Sequence, residues 1–353
     1  MPELPEAETV ARQLREQLTG AVIMDCWIGR EDIIRDGFSC LGWYHGARLI
    51  TASRLGKCVI LHAEKASETR FLIFELGMTG LLFFTLLNPS YRKHTHLTLA
   101  LSGPVPALHY WNPRRFGRVY LVDQKGLRHF AARRFGRDPL SVTWPEFREM
   151  VAARRGRLKA LLMHQQVIAG IGNIYANEIL YRARLHPDRI AGRLRTTTVK
   201  RLYETMRDVL QQAVADGGSS VRDFLAPDGT KGEYRKRHLI YNKAGRPCPS
   251  CGRAIQRLPG ERSSFVCLSC QPRERRLSWP PRGGRVEKEK APSRRSQGGR
   301  VQKKKRLSRR ARGRAGEMAG GCEMISQAGE CKNKRSRPTG KVVVLATVGR
   351  ARP

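Results

Sequence analysis

Four cysteines near the end of the apolar part of the sequence constrain this chain more than any other feature. Cys248 and Cys251 form one CxxC pair, and Cys267 and Cys270 form a second pair after fifteen intervening residues. This spacing is typical of a site in which four thiolates bind one tetrahedral zinc ion. Because protein sulfur would fill all four positions, the ion should be structural rather than catalytic. We therefore predict one structural Zn²⁺.

Other interpretations of the two pairs are weaker. Two evenly built pairs rarely arise from unrelated thiols, and neither pair opens a helix after a strand, where a redox CxxC normally lies. Nine cysteines is an odd number, which favours metal binding in a reducing compartment over a disulfide framework. Residues 254–257 and 263–266 should pair as a hairpin that carries Arg253, Arg257 and Arg262. A basic finger of this kind indicates a nucleic acid as ligand.

The charge of the chain indicates the same class of ligand. The sequence contains 67 Lys plus Arg against 30 Asp plus Glu, a formal net charge of +37, which favours binding to polyanions. Residues 271–353 hold 25 of the basic and 6 of the acidic residues, with Trp279 as their one aromatic residue. Such a composition cannot bury enough apolar surface to offset chain entropy. We predict that residues 272–353 form a disordered basic tail.

The remainder of the chain has enough apolar residues for two or three packed domains. No run approaches the roughly 20 apolar residues that span a bilayer, and the opening MPELPE is not a basic, apolar leader. These features predict a cytoplasmic protein without a membrane partner.

Hydrophobic periodicity predicts a helix followed by strands. Val10, Leu14 and Leu18 recur every four residues behind Pro5, which suits a first helical turn, so residues 5–19 should form an amphipathic helix. Seven short segments rich in β-branched, aromatic and leucine residues then predict a β-sandwich or barrel. They are residues 49–53, 58–62, 71–76, 82–85, 97–101, 107–111 and 118–122.

Helices are predicted from about residue 143 onward. Thr143 and Glu146 have the spacing of a capping box, and the helix they begin should run through Gly156. Three further helices are predicted over residues 158–165, 173–183 and 198–215. A loop-rich stretch then leads into the cysteines.

Five motifs, taken together and in this order, resemble bacterial formamidopyrimidine-DNA glycosylase. They are residues 1–10, 76–80, 112–117, 169–178 and the terminal cysteine pairs. The resemblance covers residues 1–271, and the Leu4 form of the opening is similar to the oxidised-purine branch rather than to the related endonuclease VIII. The basic tail is a departure, because members of this family normally end just after the finger.

The resemblance implies an α+β multidomain fold. Its parts would be a catalytic β-sandwich domain with a leading helix over residues 1–135, a helix-two-turn-helix DNA-binding domain over 136–235, and a zinc-finger β-hairpin over 236–271, followed by the disordered basic tail at 272–353. It also implies a monomer that acts on damaged double-stranded DNA and that associates with the bacterial nucleoid through that DNA.

The implied activity is that of a bifunctional DNA glycosylase and AP lyase of base excision repair. Its substrates would be oxidised purines such as 8-oxoguanine and formamidopyrimidines. Two alternatives stay open: the same chemistry directed at oxidised pyrimidines, as in endonuclease VIII, and a non-catalytic zinc-finger DNA-binding protein. The second alternative does not explain Pro2 and Glu3 together with Lys57.

The chemistry of the N-terminus can be reasoned from its residues. If Met1 is removed, Pro2 presents a secondary amine, and α-amino groups have a pKa of about 8, so part of the population is nucleophilic. Attack on C1′ of a deoxynucleotide displaces the base and yields an iminium ion, which acidifies the C2′ proton and permits β- and then δ-elimination. Glu3 is placed to move protons to the opening sugar or leaving base.

Further site residues are implied by the resemblance. Lys57 matches a lysine that binds phosphate and assists elimination, although a lysine here could also be a solvated strand residue. Arg262 matches the finger arginine linked to the final elimination step. Met78, Arg114 and Phe116 match the set that fills the duplex after the target base is flipped out. Core packing is the alternative for Met78.

The resemblance also implies contacts with DNA. His94, Arg154, Lys159 and Asn173 match residues that contact it, although the pair of histidines at 94 and 96 could also be a coincidence of the surface. The backbone amides of residues 170–173 offer an anion site at a helix start, although a glycine-rich turn is often only structural. The family usually has His where this chain has Glu75, and a carboxylate there would repel phosphate. Residues 219–224 resemble the segment that closes over the lesion.

Overall fold

The computed structural model describes residues 2–220 and 224–273, so nearly all of the predicted basic tail lies outside the described residues. The described helices are α1 (Leu4–Leu18), α2 (Gln124–Arg134), α3 (Trp144–Ala152), α4 (Leu158–Met163), α5 (Asn173–Arg182) and α6 (Thr196–Ala215). The described strands are β1 (Ile23–Ile28), β2 (Ile34–Asp36), β3 (Arg48–Leu55), β4 (Cys58–Lys65), β5 (Glu68–Glu75), β6 (Leu81–Phe83), β7 (Thr95–Leu101), β8 (Ala107–Trp111), β9 (Arg118–Asp123), β10 (Gln256–Leu258) and β11 (Ser264–Val266).

The N-terminal strands form two sheets, which confirms the predicted β-sandwich. One sheet has the order β2-β9-β5-β4-β3 and the other has the order β1-β7-β8-β6. Alternation along a strand separates two apolar layers: in β4, Val59 and Leu61 join the core between the sheets, whereas Cys58 and Ile60 face a smaller core beneath α2. The sandwich therefore has one face covered by a helix.

The leading helix confirms its prediction to within a residue at each end. Its buried stripe, which includes Val10, Leu14 and Leu18, belongs to the same core as the inner faces of the sheets. At the start of α1 the Glu6 carboxylate accepts the backbone N–H of Glu3 at 2.7 Å. This N–H group has no hydrogen-bond acceptor within the helix itself, so the side chain of Glu6 satisfies it. This packing holds Pro2 and Glu3 at a defined place against the rest of the fold.

The second half of the described chain is helical and ends in the hairpin. Helices α3 to α6 enclose a separate apolar core, and the predicted capping box of α3 is present, with Glu146 accepting the N–H of Thr143 at 3.0 Å. α3 ends at Ala152, before the predicted Gly156. Strands β10 and β11 pair antiparallel, and Phe265 packs in a small core with Tyr181 of α5.

Three elements were not predicted, and each has a weak local pattern. β1 and β2 show little alternation of buried and exposed residues. α2 contains Gly126 and buries only Phe130 fully, so its helical periodicity is faint. β6 is shorter than predicted because the N–H of Phe84 donates to the carbonyl of Pro227 instead of a strand partner.

None of the helices in the described part of the chain combines the length and apolar character that a membrane span requires.

Candidate active site

A cavity of about 470 Å³ collects residues from the sandwich, the helical domain and the hairpin. Eight residues predicted from sequence line it: Pro2, Glu3, Met78, Arg114, Asn173, Ser219, Phe224 and Arg262. Ser219 and Phe224 are the two ends of segment 219–224, of which residues 221–223 lie outside the described residues. The eight residues are separated by up to 260 positions in the chain, so only the tertiary structure brings them together. Arg257, Tyr241 and Asn242 also line the cavity, and no sequence pattern singles out the last two.

Glu3 is held by the start of α5. Its carboxylate accepts backbone N–H groups from Gly172 at 2.9 Å, Ile174 at 3.0 Å and Tyr175 at 3.2 Å. Amides at a helix N-terminus, together with the helix dipole, stabilise negative charge. Only glycine fits at position 172, because a Cβ there would lie 2.3 Å from the Glu3 carboxyl carbon. The N-terminal segment therefore has one defined pose.

These contacts identify the anion at this helix start. The amides of residues 170–173 are predicted to offer an anion site, and the carboxylate of Glu3 takes the amide of Gly172 and those of Ile174 and Tyr175 just beyond it. The anion at this helix start therefore belongs to the protein itself. Asn173 lines the cavity next to this site.

Glu6 is a residue that sequence reasoning did not single out. Its side chain is fully buried and accepts the hydroxyl of Tyr175 at 2.6 Å and the N–H of Ser219 at 2.6 Å, in addition to the N–H of Glu3. Burial raises the pKa of Glu6, and the neighbouring charge of Glu3 adds to that effect. A glutamate three residues after a helix start is the one sequence signal that this position offers.

Lys57 lies in the turn between β3 and β4. Burial lowers the pKa of its amine, and the carboxylate of Glu3 acts against that effect. The charge of Arg262 also lowers the pKa of Lys57. The amine is therefore electrostatically linked to two cavity residues, although Lys57 itself is not part of the cavity lining.

Met78 and Phe116 are exposed apolar side chains. Their exposed fractions are 42% and 60%, so core packing, the alternative for Met78, is wrong. Gly77 adopts a φ of +60° in the turn before Met78, a conformation that favours glycine. Exposed side chains of this size in turns are available to a ligand.

His94 and Arg154 lie outside the main cavity. His94 is half-buried, with its ring centroid 6.4 Å from that of His96. Arg154 lines a second, open cavity of about 570 Å³ beside α3. Their roles in binding DNA stay predictions.

Lys159 is used differently from the expected phosphate contact. It is buried, and its Nζ donates to the carbonyls of Arg262 at 3.2 Å and Ser263 at 2.8 Å and to Oγ of Ser264 at 3.0 Å. These three bonds use all the protons of an ammonium group. Burial lowers the pKa of Lys159 to about 8, with a further contribution from Arg262. In this structure the amine holds the hairpin loop that carries Arg262.

Glu75 is paired within the protein. Its Oε2 lies 3.3 Å from Nη1 of Arg134 and accepts the Tyr120 hydroxyl at 3.1 Å. The repulsion of phosphate expected from the sequence is therefore reduced, because Arg134 of α2 brings an opposite charge to Glu75.

The four cysteines come together as the spacing predicted. All four Sγ atoms lie within 4.8 Å of one another, with Cys251 and Cys267 3.4 Å apart and Cys248 and Cys270 3.8 Å apart. A tetrahedral zinc ion with bonds of about 2.3 Å requires sulfur separations of this size. The cluster fits one structural zinc ion, and the prediction of that cofactor is confirmed.

Family models and relatives of known name match this chain. The model of the formamidopyrimidine-DNA glycosylase N-terminal domain matches residues 1–119, and that of the formamidopyrimidine-DNA glycosylase H2TH domain matches residues 135–225. The formamidopyrimidine-DNA glycosylase of Thermomicrobium roseum is 38% identical over an alignment of 295 residues, and the match covers 77% of this chain and 99% of that protein. The chain belongs to the formamidopyrimidine-DNA glycosylase family.

Solved structures of the glycosylase family are similar to this chain. The MutM (Fpg) protein of Thermus thermophilus is 36% identical with a TM-score of 0.68, and the match covers 76% of this chain and 98% of that one. The Lactococcus lactis Fpg protein, solved with DNA that contains N7-benzyl-Fapy-dG, is 31% identical with a TM-score of 0.69 and coverage of 77% and 100%. The described fold is therefore that of a formamidopyrimidine-DNA glycosylase.

Proposed function

We propose that this member of the formamidopyrimidine-DNA glycosylase family excises oxidised purines from damaged duplex DNA and then cleaves the strand. One observation carries the proposal: Pro2, Glu3, Asn173 and Arg262 share one cavity. A nucleophile, a proton-transfer group and a cation near a leaving phosphate are the parts that glycosylase and lyase chemistry requires.

The proposed reaction begins at Pro2. Once Met1 has been removed, the amine nitrogen attacks C1′, the bond to the base breaks, and the base leaves with a proton. Loss of the amine proton and opening of the sugar give an iminium ion, and loss of the C2′ proton expels the 3′ phosphate. A second elimination expels the 5′ phosphate. Glu3, held by three amides beside Pro2, transfers protons at the sugar and base.

The remaining residues are assigned to DNA. Met78 and Phe116 are the exposed apolar groups that fill the space of a flipped nucleotide, and Arg114 faces the unpaired base. Arg262 and Lys57 supply positive charge for the phosphates that leave. His94 and Arg154 are proposed as phosphate contacts.

We assign one function to each of the predicted domains. Residues 1–135 carry the catalytic terminus, residues 136–235 bind the duplex through the helix-two-turn-helix element, and residues 236–271 add the zinc finger. Lys159 joins the last two by holding the hairpin loop.

Borohydride trapping on duplex DNA with 8-oxoguanine opposite cytosine tests this function. An enzyme that forms an iminium ion becomes covalently attached to the DNA on reduction, whereas a non-catalytic DNA-binding protein does not. The same assay on a second duplex, which contains thymine glycol, separates the two substrate classes. Preferential excision of thymine glycol would assign the protein to oxidised pyrimidines.

Glu3→Gln should slow base excision by roughly a hundredfold or more, because general acid-base groups contribute factors of that size. Cleavage of a preformed abasic site should be affected much less, since no base has to leave. Single-turnover rates on both substrates measure the difference. Equal losses on the two substrates would contradict the assigned role in releasing the base.

Deletion of the basic tail should weaken nonspecific DNA binding and leave chemistry intact. The cut belongs after Arg273, because Gln271 donates to the carbonyl of Leu185 at 2.8 Å and Arg273 to His186 at 3.4 Å. Each phosphate that the tail neutralises adds about 0.9 to the slope of log K against log salt. We expect a flatter slope and unchanged single-turnover excision at saturating DNA. An unchanged slope would show that the tail makes no phosphate contacts.

A further inference from the structure

A buried chain of hydrogen bonds leads away from the catalytic terminus to His238, which lies at the start of the zinc-finger domain. Glu6 accepts the Tyr175 hydroxyl at 2.6 Å, Oη of Tyr175 lies 3.2 Å from Oγ of Ser219, and that Oγ lies 2.9 Å from Nε2 of His238. All four side chains are buried; His238, the most accessible of them, is 5% exposed. These hydrogen bonds have no part in the proposed reaction.

The donors and acceptors of the chain follow from its end at Glu6. A carboxylate has no proton to give, so the hydroxyl of Tyr175 must donate to it. The oxygen of Tyr175 then accepts the one hydroxyl proton of Ser219, and the oxygen of Ser219 accepts a proton from Nε2 of His238. His238 is therefore assigned the tautomer with its ring proton on Nε2. Burial lowers the pKa of His238 to about 4, which agrees with a neutral ring.

Glu6 connects this chain to the catalytic terminus. Its Oε2 accepts the backbone N–H of Glu3, the residue that follows Pro2, while its Oε1 accepts the N–H of Ser219, the first residue of segment 219–224. Gly218 permits this approach, since it has a φ of +84° and a Cβ would lie 2.8 Å from Oε1 of Glu6. One carboxylate thus ties the terminus to the start of that segment.

We propose that Tyr175, Ser219 and His238 are positioning residues that keep Glu6 ionised and so hold the backbone beside Pro2 in the geometry for base excision. This inference rests on the proposed function. Protonation of Glu6 at Oε1 would oppose the hydroxyl proton that Tyr175 donates to that oxygen, and it would weaken the hold of Glu6 on the N–H of Glu3. Excision should therefore fall on the acid side as Glu6 takes up a proton.

The charged groups around the chain set the direction of the expected shift. Glu6 faces Glu3, which directly precedes α1, Tyr175 of α5 and Lys57 of the β3-β4 turn. Burial and Glu3 raise the pKa of Glu6, and the Tyr175 hydrogen bond lowers it. Loss of that bond should raise the pKa further, so the acid limb of excision should move to higher pH.

The surroundings of His238 contain charges of both signs, which are Glu178 and Arg182 of α5, Arg235 and Lys243. The rings of Tyr234 and Tyr241 pack at 5.8 Å and 5.9 Å from its ring. A substitution at His238 should therefore conserve volume, so that packing is kept while the donor is lost.

The test is the pH profile of single-turnover excision on saturating 8-oxoguanine duplex. Tyr175→Phe should move the acid limb upward by about one pH unit, the equivalent of one hydrogen bond. Ser219→Ala keeps the backbone hydrogen bond to Glu6 but interrupts the hydrogen-bond chain between Tyr175 and His238, so it should move the acid limb by less than Tyr175→Phe does. His238→Leu should move the acid limb by less than Ser219→Ala does. His238→Gln, which restores an N–H donor, should return the limb toward that of the wild type.

Tyr203→Phe is the matched control, because this α6 hydroxyl donates to the carbonyl of Val142 at 3.0 Å and has no part in the chain. Thermal unfolding shows which variants are folded, and Ser219→Ala and His238→Leu carry the test if Tyr175→Phe is not. Acid limbs of Ser219→Ala and His238→Leu that coincide with the wild type would overturn the proposal, as would an equal shift in Tyr203→Phe. Borohydride trapping by the wild type is measured alongside: absence of trapping means that the proposed function fails, whereas trapping with coincident limbs means that only this inference fails.

Discussion

Extra residues ahead of Pro2 should abolish covalent trapping, with the yield falling at least about a thousandfold, because loss of an enzyme's nucleophile removes nearly all of its rate enhancement. The extension turns the secondary amine of Pro2 into an amide, which has no lone pair available for attack on C1′. Trapped complex on 8-oxoguanine duplex, resolved by denaturing electrophoresis, measures the effect.

The matched control carries the same extra residues after Pro353, where they leave Pro2 free. Pro2 is buried, so binding of both proteins to a duplex with a non-cleavable abasic analogue has to be compared, and it should be similar. If the N-terminally extended protein still traps at the control level, the nucleophile is an internal amine such as Lys57.

Cys248→Ser should unfold the hairpin and weaken DNA binding by about tenfold or more, because metal binding and folding of a small zinc site are one free energy. Cys248 and Cys267 are buried in the small core that also holds Phe265 and Tyr181. Loss of the ion therefore removes one of the two supports of the loop that carries Arg262, the other being Lys159. Zinc content, thermal unfolding and duplex affinity measure the three consequences.

Cys26→Ser is the matched control, because Cys26 is a half-buried thiol outside the four-cysteine cluster. It should retain zinc and duplex affinity. A metal-free Cys248→Ser protein that binds the duplex as tightly as the control would show that the finger does not contribute to binding.

Elements whose patterns are local could be predicted from the sequence. The four-residue repeat of Val10, Leu14 and Leu18 predicts α1 because one stripe of a helix must be buried, and the structure buries it. The CxxC spacing predicts a metal site because a turn of that length presents two sulfurs to one ion. The family motifs marked eight of the residues that line the cavity.

The pairing of charged groups across long separations in the chain follows from the fold and could not be predicted from local patterns. Glu3 takes amides of α5, Lys159 holds the hairpin loop, and Arg134 of the unpredicted α2 neutralises Glu75. Side chains with several donors or acceptors can bind many partners, and burial selects among them because an unpaired polar group inside a protein costs about 1–3 kcal/mol. The sequence contains these groups, but only the fold brings one partner within hydrogen-bonding distance and excludes the water that would otherwise compete. The contacts of Glu6 and the hydrogen-bond chain from Tyr175 to His238 can therefore be found only in the folded structure.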